Sequence, residues 1–135
     1  MIISYVPIDS IMDGYLPIVG PLLQKAIDKS EGQELLEDYI IGLVDDRYHL
    51  FIGYDEEDIH VAALTQFVKY PEYTNLSIVL VGGSRLEEWI SSEVLFEFGR
   101  YHNCKAVELT GRRGWLKALE PKGYRESCVT LIKDL

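Results

Sequence analysis

The chain has few cysteines and few cations, and both shortages limit the functions open to it. Its two cysteines, Cys104 and Cys128, show no spacing typical of a metal or redox motif. Both lie in apolar stretches, which predicts reduced core thiols in a cytosol. Lysine and arginine total 13 against 22 acidic residues, so the formal net charge is −9. Because binding to nucleic acid or anionic lipid needs clustered cations, we expect no nucleic-acid partner and no membrane partner.

Several common sequence signals are also absent. No apolar run reaches the length of a membrane span, and no basic region precedes the apolar start, as a secretory signal would require. The chain contains no Walker loop, no His-Glu-x-x-His, no Gly-x-Ser-x-Gly and no complete dinucleotide fingerprint. The three histidines (His49, His60 and His102) fall on separate predicted elements, so we expect no metal site. These absences favour a soluble cytoplasmic protein.

Length and periodicity predict one α/β domain spanning residues 1–135. A chain of 135 residues with 47% hydrophobic content can bury a core without disulfides or metals. The apolar pattern predicts the order β-α-α-β-β-β-α-β-α-β, a mixed central sheet. Strands are predicted at 1–7, 48–54, 59–70, 74–81, 105–110 and 128–133. The main helices are predicted at 18–27, 35–43 and 85–103, and a short one opens at 111–115 and stops at Pro121.

A glycine turn joins the strand at 74–81 to the long helix. Ser84 and Glu87 fit a capping box at the helix start. Gly82 and Gly83 permit close backbone approach, and free amides at a helix N-terminus attract anions. Glu87 and Glu88 oppose this, because they place negative charge in the first turn. The segment is therefore either an anion-binding turn or a glycine turn that feeds a self-capped helix.

The element order, together with Lys122-Gly123-Tyr124, resembles the GNAT (Gcn5-related N-acetyltransferase) superfamily along essentially the whole chain. In that family acyl-CoA lies between two splayed strands. Its pyrophosphate rests on a Gln/Arg-x-x-Gly-x-Gly/Ala loop at a helix start, and the matching segment here, 81–88, lacks the full motif. The resemblance implies acetyl-CoA as cofactor, bound by Gly82, Gly83, Ser84 and Arg85.

The residues at the family's chemical positions differ from the family pattern. Leu119 stands where a tyrosine commonly protonates the leaving thiolate, and Trp115 stands near a position usually small. Tyr124 is a substitute acid by proximity in sequence only. Glu108, on the predicted strand 105–110, is a candidate to take the proton of an acceptor amine, or else a surface carboxylate.

The segment Gly111-Arg112-Arg113-Gly114-Trp115 resembles small GNAT-like proteins encoded by tailed bacteriophages. Arg112 and Arg113 stand at a helix start, the unfavourable end for cations, which suggests a bound anion or an acidic partner surface. The alternative is two solvated arginines paired with surface carboxylates. Arg and Trp are typical interface anchors, so Arg112, Arg113 and Trp115 are predicted to bind a protein partner, including virion components.

Two functions follow from the sequence. The first is a catalytically silent binding or assembly module with a degenerate acyl-CoA site, phage-encoded and located in the host cytoplasm or the virion. The alternative is an acyl-CoA-dependent N-acetyltransferase that acts on an amine acceptor.

Overall fold

A computed structural model describes residues 1–30 and 32–135 of the chain. Its strands are β1 (Ile2–Val6), β2 (His49–Tyr54), β3 (Ile59–Lys69), β4 (Thr74–Gly83) and β5 (Ala106–Leu109). They form one sheet in the order β1-β2-β3-β4-β5. The first four strands pair antiparallel and β5 runs parallel to β4, so the predicted mixed α/β sheet is confirmed.

Helices cover both faces of this sheet. One face carries α1 (Ile8–Ser10), a π-helical turn (Ile11–Tyr15), α2 (Leu16–Ile27) and α3 (Leu36–Val44). The other carries α4 (Leu86–Ile90), α5 (Glu93–Tyr101), α6 (Gly114–Leu119) and a 3₁₀ turn (Glu120–Lys122). No helix in the described part of the chain is long and apolar enough to cross a membrane.

The core has two layers because the central strands are apolar on both sides. On β3, Ala62 and Leu64 pack under α2 and α3, while Val61 and Ala63 pack under α4 and α5. Alternate side chains of a strand point to opposite faces, so a strand covered on both sides is apolar throughout.

The predicted helix 85–103 is two helices, and its predicted capping box is wrong. The helical path is interrupted at Ser91 and Ser92, and the Ser92 hydroxyl accepts a hydrogen bond from the Val94 amide at 3.1 Å, which caps α5. Arg85, with φ of 57°, precedes α4 and makes no side-chain cap. The Ser84 amide instead donates to the His60 carbonyl at 2.9 Å, which keeps Ser84 attached to β3.

The predicted last strand, 128–133, is also wrong. The described chain forms no strand after α6, and Val129, Leu131 and Ile132 are exposed. An alternating pattern becomes a strand only where a partner supplies backbone hydrogen bonds. Within the described structure β5 is paired along one side only, with β4.

Candidate functional site

Strands β4 and β5 separate halfway along β4. Their ladder ends at the pair Ile78 and Leu109, whereas β4 continues for five more residues. At that point Ile78 and Leu80 pair with adjacent residues of β3, so Val79 is the extra residue of a β-bulge. Val79 thus has no opposite residue in either neighbouring strand as far as the chain is described.

A cavity of about 210 Å³ occupies this gap. Its floor is formed by β4 from Val79 to Gly83, and its walls by α2, by the loop after β5 and by Trp115. The polar side chains of its lining are Lys25, Lys29, Ser30, Thr110 and Arg112. Of the described residues that line it, three are basic and none is acidic, in a chain with a net charge of −9. The cavity therefore suits an anionic ligand.

A second cavity, of about 340 Å³, lies between β1, β2 and the first helical segments. Its described lining includes Tyr5, Tyr15 and Tyr54 but no charged side chain. Although it is larger, its described lining offers no charged side chain to a charged ligand, so the gap between β4 and β5 is the better candidate site.

Gly82 and Gly83 lie in β4, paired with Ala62 and Val61 of β3. A Cβ on Gly82 would overlap the carbonyl oxygen of Leu22 in α2. Gly83 has φ of 116°, and a Cβ there would lie 3.1 Å from the carbonyl carbon of His60. Both glycines border the cavity, but the close approach of the protein's own backbone already requires them.

The side chain of Arg85 is held by carboxylates. Its guanidinium donates two hydrogen bonds to Glu88, at 2.9 and 2.8 Å, and lies 3.6 Å from Asp55. Arg85 does not line the cavity. Its predicted role in cofactor binding, like that of Gly82, Gly83 and Ser84, stays a prediction.

Asp55 and His60 form a hydrogen bond that the sequence did not indicate. Their side chains meet at 2.7 Å beside Arg85. Hydrogen bonds from the backbone amide of Glu57, from His60 and from the Asp58 amide lower the pKa of Asp55 to about 2. The only sequence signal for this contact was an aspartate at the start of a hairpin turn, a position where aspartate commonly accepts hydrogen bonds from the next backbone amides. Through Asp55, the turn 55–58 contacts Arg85, which follows the end of β4.

The two candidate catalytic side chains are engaged in other contacts. The Tyr124 hydroxyl donates to the Ile90 carbonyl at 2.9 Å, and burial raises its pKa to about 12. The Glu108 carboxylate accepts hydrogen bonds from the Tyr70 hydroxyl at 2.9 Å and from the Asn75 amide at 3.3 Å. Glu108 precedes Leu109, which lines the cavity, so it points to the opposite face of β5.

The structure also shows where Leu119, at the family's acid position, and the predicted partner-binding residues lie. Leu119 is 2% exposed and belongs to the core beneath α6. Trp115 is half-buried and lines the cavity together with Arg112, whereas Arg113 is exposed and does not border it. The structure brings Gly82, Gly83, Arg112 and Trp115 to one cavity, and it leaves Glu108, Tyr124 and Arg113 outside.

The cavity also includes two cations that sequence reasoning missed. Lys25 lies in the last turn of α2 and Lys29 in the turn that follows the helix, and both are exposed. Their spacing was the only local signal, and surface lysines with that spacing are common on helices.

Solved structures with acetyltransferase descriptions match the whole architecture. Glucosamine-6-phosphate N-acetyltransferase from Arabidopsis thaliana aligns with TM-score 0.64 and 15% identity over 98% of this chain and 97% of its own. A predicted acetyltransferase from Clostridium acetobutylicum, solved with acetyl-CoA, aligns with TM-score 0.65 and 14% identity over 98% and 96%. An aminoglycoside acetyltransferase from an uncultured soil metagenomic sample aligns with TM-score 0.66 and 13% identity over 99% and 95%.

Comparison at the level of sequence finds less. No family model matches the chain. No curated protein matches it either. At 13–15% identity the structural likeness concerns the backbone architecture, which extends over nearly the full length of every chain compared. The chain has the GNAT fold.

Proposed function

We propose that the chain binds an acyl-CoA in the cavity between β4 and β5 and transfers its acyl group to an amine. The observation that carries the proposal is the strand separation beside a β-bulge. The β5 ladder stops at Ile78, the bulged Val79 follows, and Val79 and Leu80 both line the cavity. The acetyl-CoA of the similar Clostridium acetobutylicum structure supports the choice of ligand.

The cavity residues fit such a donor. Lys25, Lys29 and Arg112 offer cations to phosphate groups, and Leu80 and Leu86 offer apolar surface to an extended aliphatic arm. When bound, an acyl-CoA supplies a thioester whose acyl carbon bonds to an unprotonated amine nitrogen as the carbon–sulfur bond breaks, the amine proton ending on the thiol.

The chain's own contribution to this reaction is electrostatic. We propose that the backbone amide of Val79, the bulged residue that lines the cavity, donates to the acyl oxygen and stabilises the negative charge that develops there. Tyr124 and Glu108 would have to give up their present hydrogen bonds to move protons. Because a positioned acid or base contributes about 10²- to 10⁴-fold, we expect turnover to be slow.

Thermal unfolding with acetyl-CoA tests the proposal, with release of free thiol as the readout for transfer to amines. A ligand at about 100 times its Kd adds about 2.7 kcal/mol to the stability of the protein that binds it. Thr110→Trp places an indole at the cavity lining and should abolish the rise in melting temperature. Thr130→Trp, at an exposed position of the C-terminal segment, should keep it.

Two results would contradict acyl-CoA binding at this cavity. One is an unchanged melting temperature in millimolar acetyl-CoA. The other is an equal rise in the wild type and in the Thr110→Trp variant, which would locate the ligand elsewhere.

A second candidate is a catalytically silent module that binds a protein partner, as in the phage-encoded proteins that segment 111–115 resembles. The apolar, buried Leu119 at the family's acid position supports it. The exposed Arg113 also supports it, because it lies outside the cavity and forms no ion pair with any described residue. Steady acetyl transfer to any small amine, peptide or polyamine would exclude silence.

A further inference from the structure

We infer that Lys25, Lys29 and Arg112 bind the phosphates of the acyl donor, in place of the backbone amides of segment 82–85. This inference rests on the proposed function, since it names the residues that hold the same ligand. It differs from the loop-binding arrangement that the GNAT resemblance implies, and it follows from where this chain places its backbone amides and its cations.

Part of segment 82–85 is already engaged by the protein itself. Gly82 and Gly83 pair with β3 as the last residues of β4. The Ser84 amide donates to the His60 carbonyl at 2.9 Å. Arg85 is held by the Glu88 carboxylate. The Ser84 amide and the Arg85 side chain are therefore not free to bind a phosphate.

The following helix also offers little attraction to an anion. Helix α4 has only five residues, so few peptide dipoles add along its axis. Glu87 and Glu88 lie in its first turn and repel a phosphate. Both features weaken the family's usual anion site in this chain.

The cations that line the cavity lie on other segments than 82–85. Lys25 lies in the last turn of α2, Lys29 in the turn after it, and Arg112 in the loop after β5. None of the three pairs with a carboxylate of the described residues. Gathering three of 13 cations on one cavity without a carboxylate creates a local positive field in an acidic protein.

Trp115 is the positioning residue for Arg112. Its backbone amide donates to the Arg112 carbonyl at 3.0 Å, and its indole covers Gly111, where a Cβ would lie 2.8 Å from the ring. This packing fixes the loop that presents Arg112 to the cavity.

Isothermal titration calorimetry tests the assignment, with acetyl-CoA and S-acetylpantetheine as paired ligands. Both carry the same thioester, but only the first carries phosphates. Lys25→Gln, Lys29→Gln and Arg112→Gln should each weaken acetyl-CoA binding about 5-fold, and the triple variant about 100-fold. Wild-type affinity for acetyl-CoA should fall as salt rises, because the Debye length shortens from about 10 Å at 0.1 M to about 3 Å at 1 M.

Arg113→Gln and Lys117→Gln are the matched controls. Each removes an exposed cation next to the cavity but outside its lining, so each should keep wild-type affinity. Equal losses in Arg112→Gln and Arg113→Gln would overturn the assignment by showing a diffuse charge effect. Equal affinity for the two ligands would overturn it too, while leaving the proposed function in place. A wild type that binds neither ligand would remove the proposed function itself.

Discussion

Gly82→Ala should lower the stability of the chain sharply, because the backbone of α2 packs directly against Gly82 of β4. An added Cβ would overlap the Leu22 carbonyl oxygen, lie 2.9 Å from the Leu22 carbonyl carbon and lie 3.4 Å from the Ala26 Cβ. The Leu22 carbonyl is part of the helical backbone, so no change of rotamer relieves the overlap. The helix as a whole must move away from the sheet.

The size of the effect follows from that movement. Carbon atoms pack at about 3.5–4.0 Å, so the Leu22 backbone must recede by about 1 Å. Helix α2 contributes Val19, Leu23 and Ile27 to the core, and these lose contacts as it moves. Overpacking of a core costs about 1–3 kcal/mol, and we expect about 3 kcal/mol here. At about 4 °C per kcal/mol for a chain of this length, the melting temperature should fall by about 12 °C.

Thermal and urea unfolding followed by far-UV circular dichroism measure this loss. Gly20→Ala is the matched control. Gly20 lies in α2, and apart from its chain neighbours and the nearby backbone of the helix itself no atom lies within 4 Å of the added Cβ. That control should be more stable by up to about 1 kcal/mol, because alanine favours a helix interior over glycine. The reasoning is refuted if Gly82→Ala melts within about 2 °C of the wild type, or if Gly20→Ala loses more stability than Gly82→Ala.

Three further predictions concern single side chains. Leu119→Ala should cost about 2–5 kcal/mol in urea unfolding, since Leu119 is 2% exposed, and a cost below 1 kcal/mol would place it outside the core. The pKa of Asp55 is lowered from 3.8 to about 2, so the ionised carboxylate stabilises the folded chain above pH 3.8 and this stabilisation is lost as the pH falls towards 2. The urea midpoint of Asp55→Asn should therefore change less across that pH range than the midpoint of the wild type. Burial lowers the pKa of His49 below 6.5, so His49 of the unfolded chain takes up a proton first and the stability should fall as the pH drops below 6.5. His49→Gln, which can still bond to Thr65, should remove that pH dependence. A variant with the same pH profile as the wild type would contradict this prediction.

The strands were predictable because their signals are local. Tyr48, Leu50 and Ile52 alternate with neighbours that face the other layer, and the structure places all three under α2 and α3. A period of two residues needs no knowledge of the rest of the chain. The mixed sheet and the helices on both faces followed from this pattern.

The breaks in the pattern could not be predicted, because they depend on contacts between distant segments. Apolar periodicity continues across Ser91 and Ser92, yet the helix ends there and Ser92 caps a new one. The alternating segment 128–133 reads as a strand, but no ladder forms on it in the described chain. A capping serine and a missing partner strand both reflect tertiary context, which overrides local propensity.

The positive charge of the candidate site could not be predicted from the sequence either. A net charge of −9 describes the chain as a whole, and it disfavours binding to nucleic acid through a broad basic patch. It carries no information on a small cavity, where charges within a Debye length dominate the potential. Lys25 and Arg112 are far apart in the chain and border one cavity because α2 packs against β4 at Gly82. The sign of the charge at the site is thus set by helix packing, and Gly82→Ala should weaken acetyl-CoA binding even where the protein remains folded.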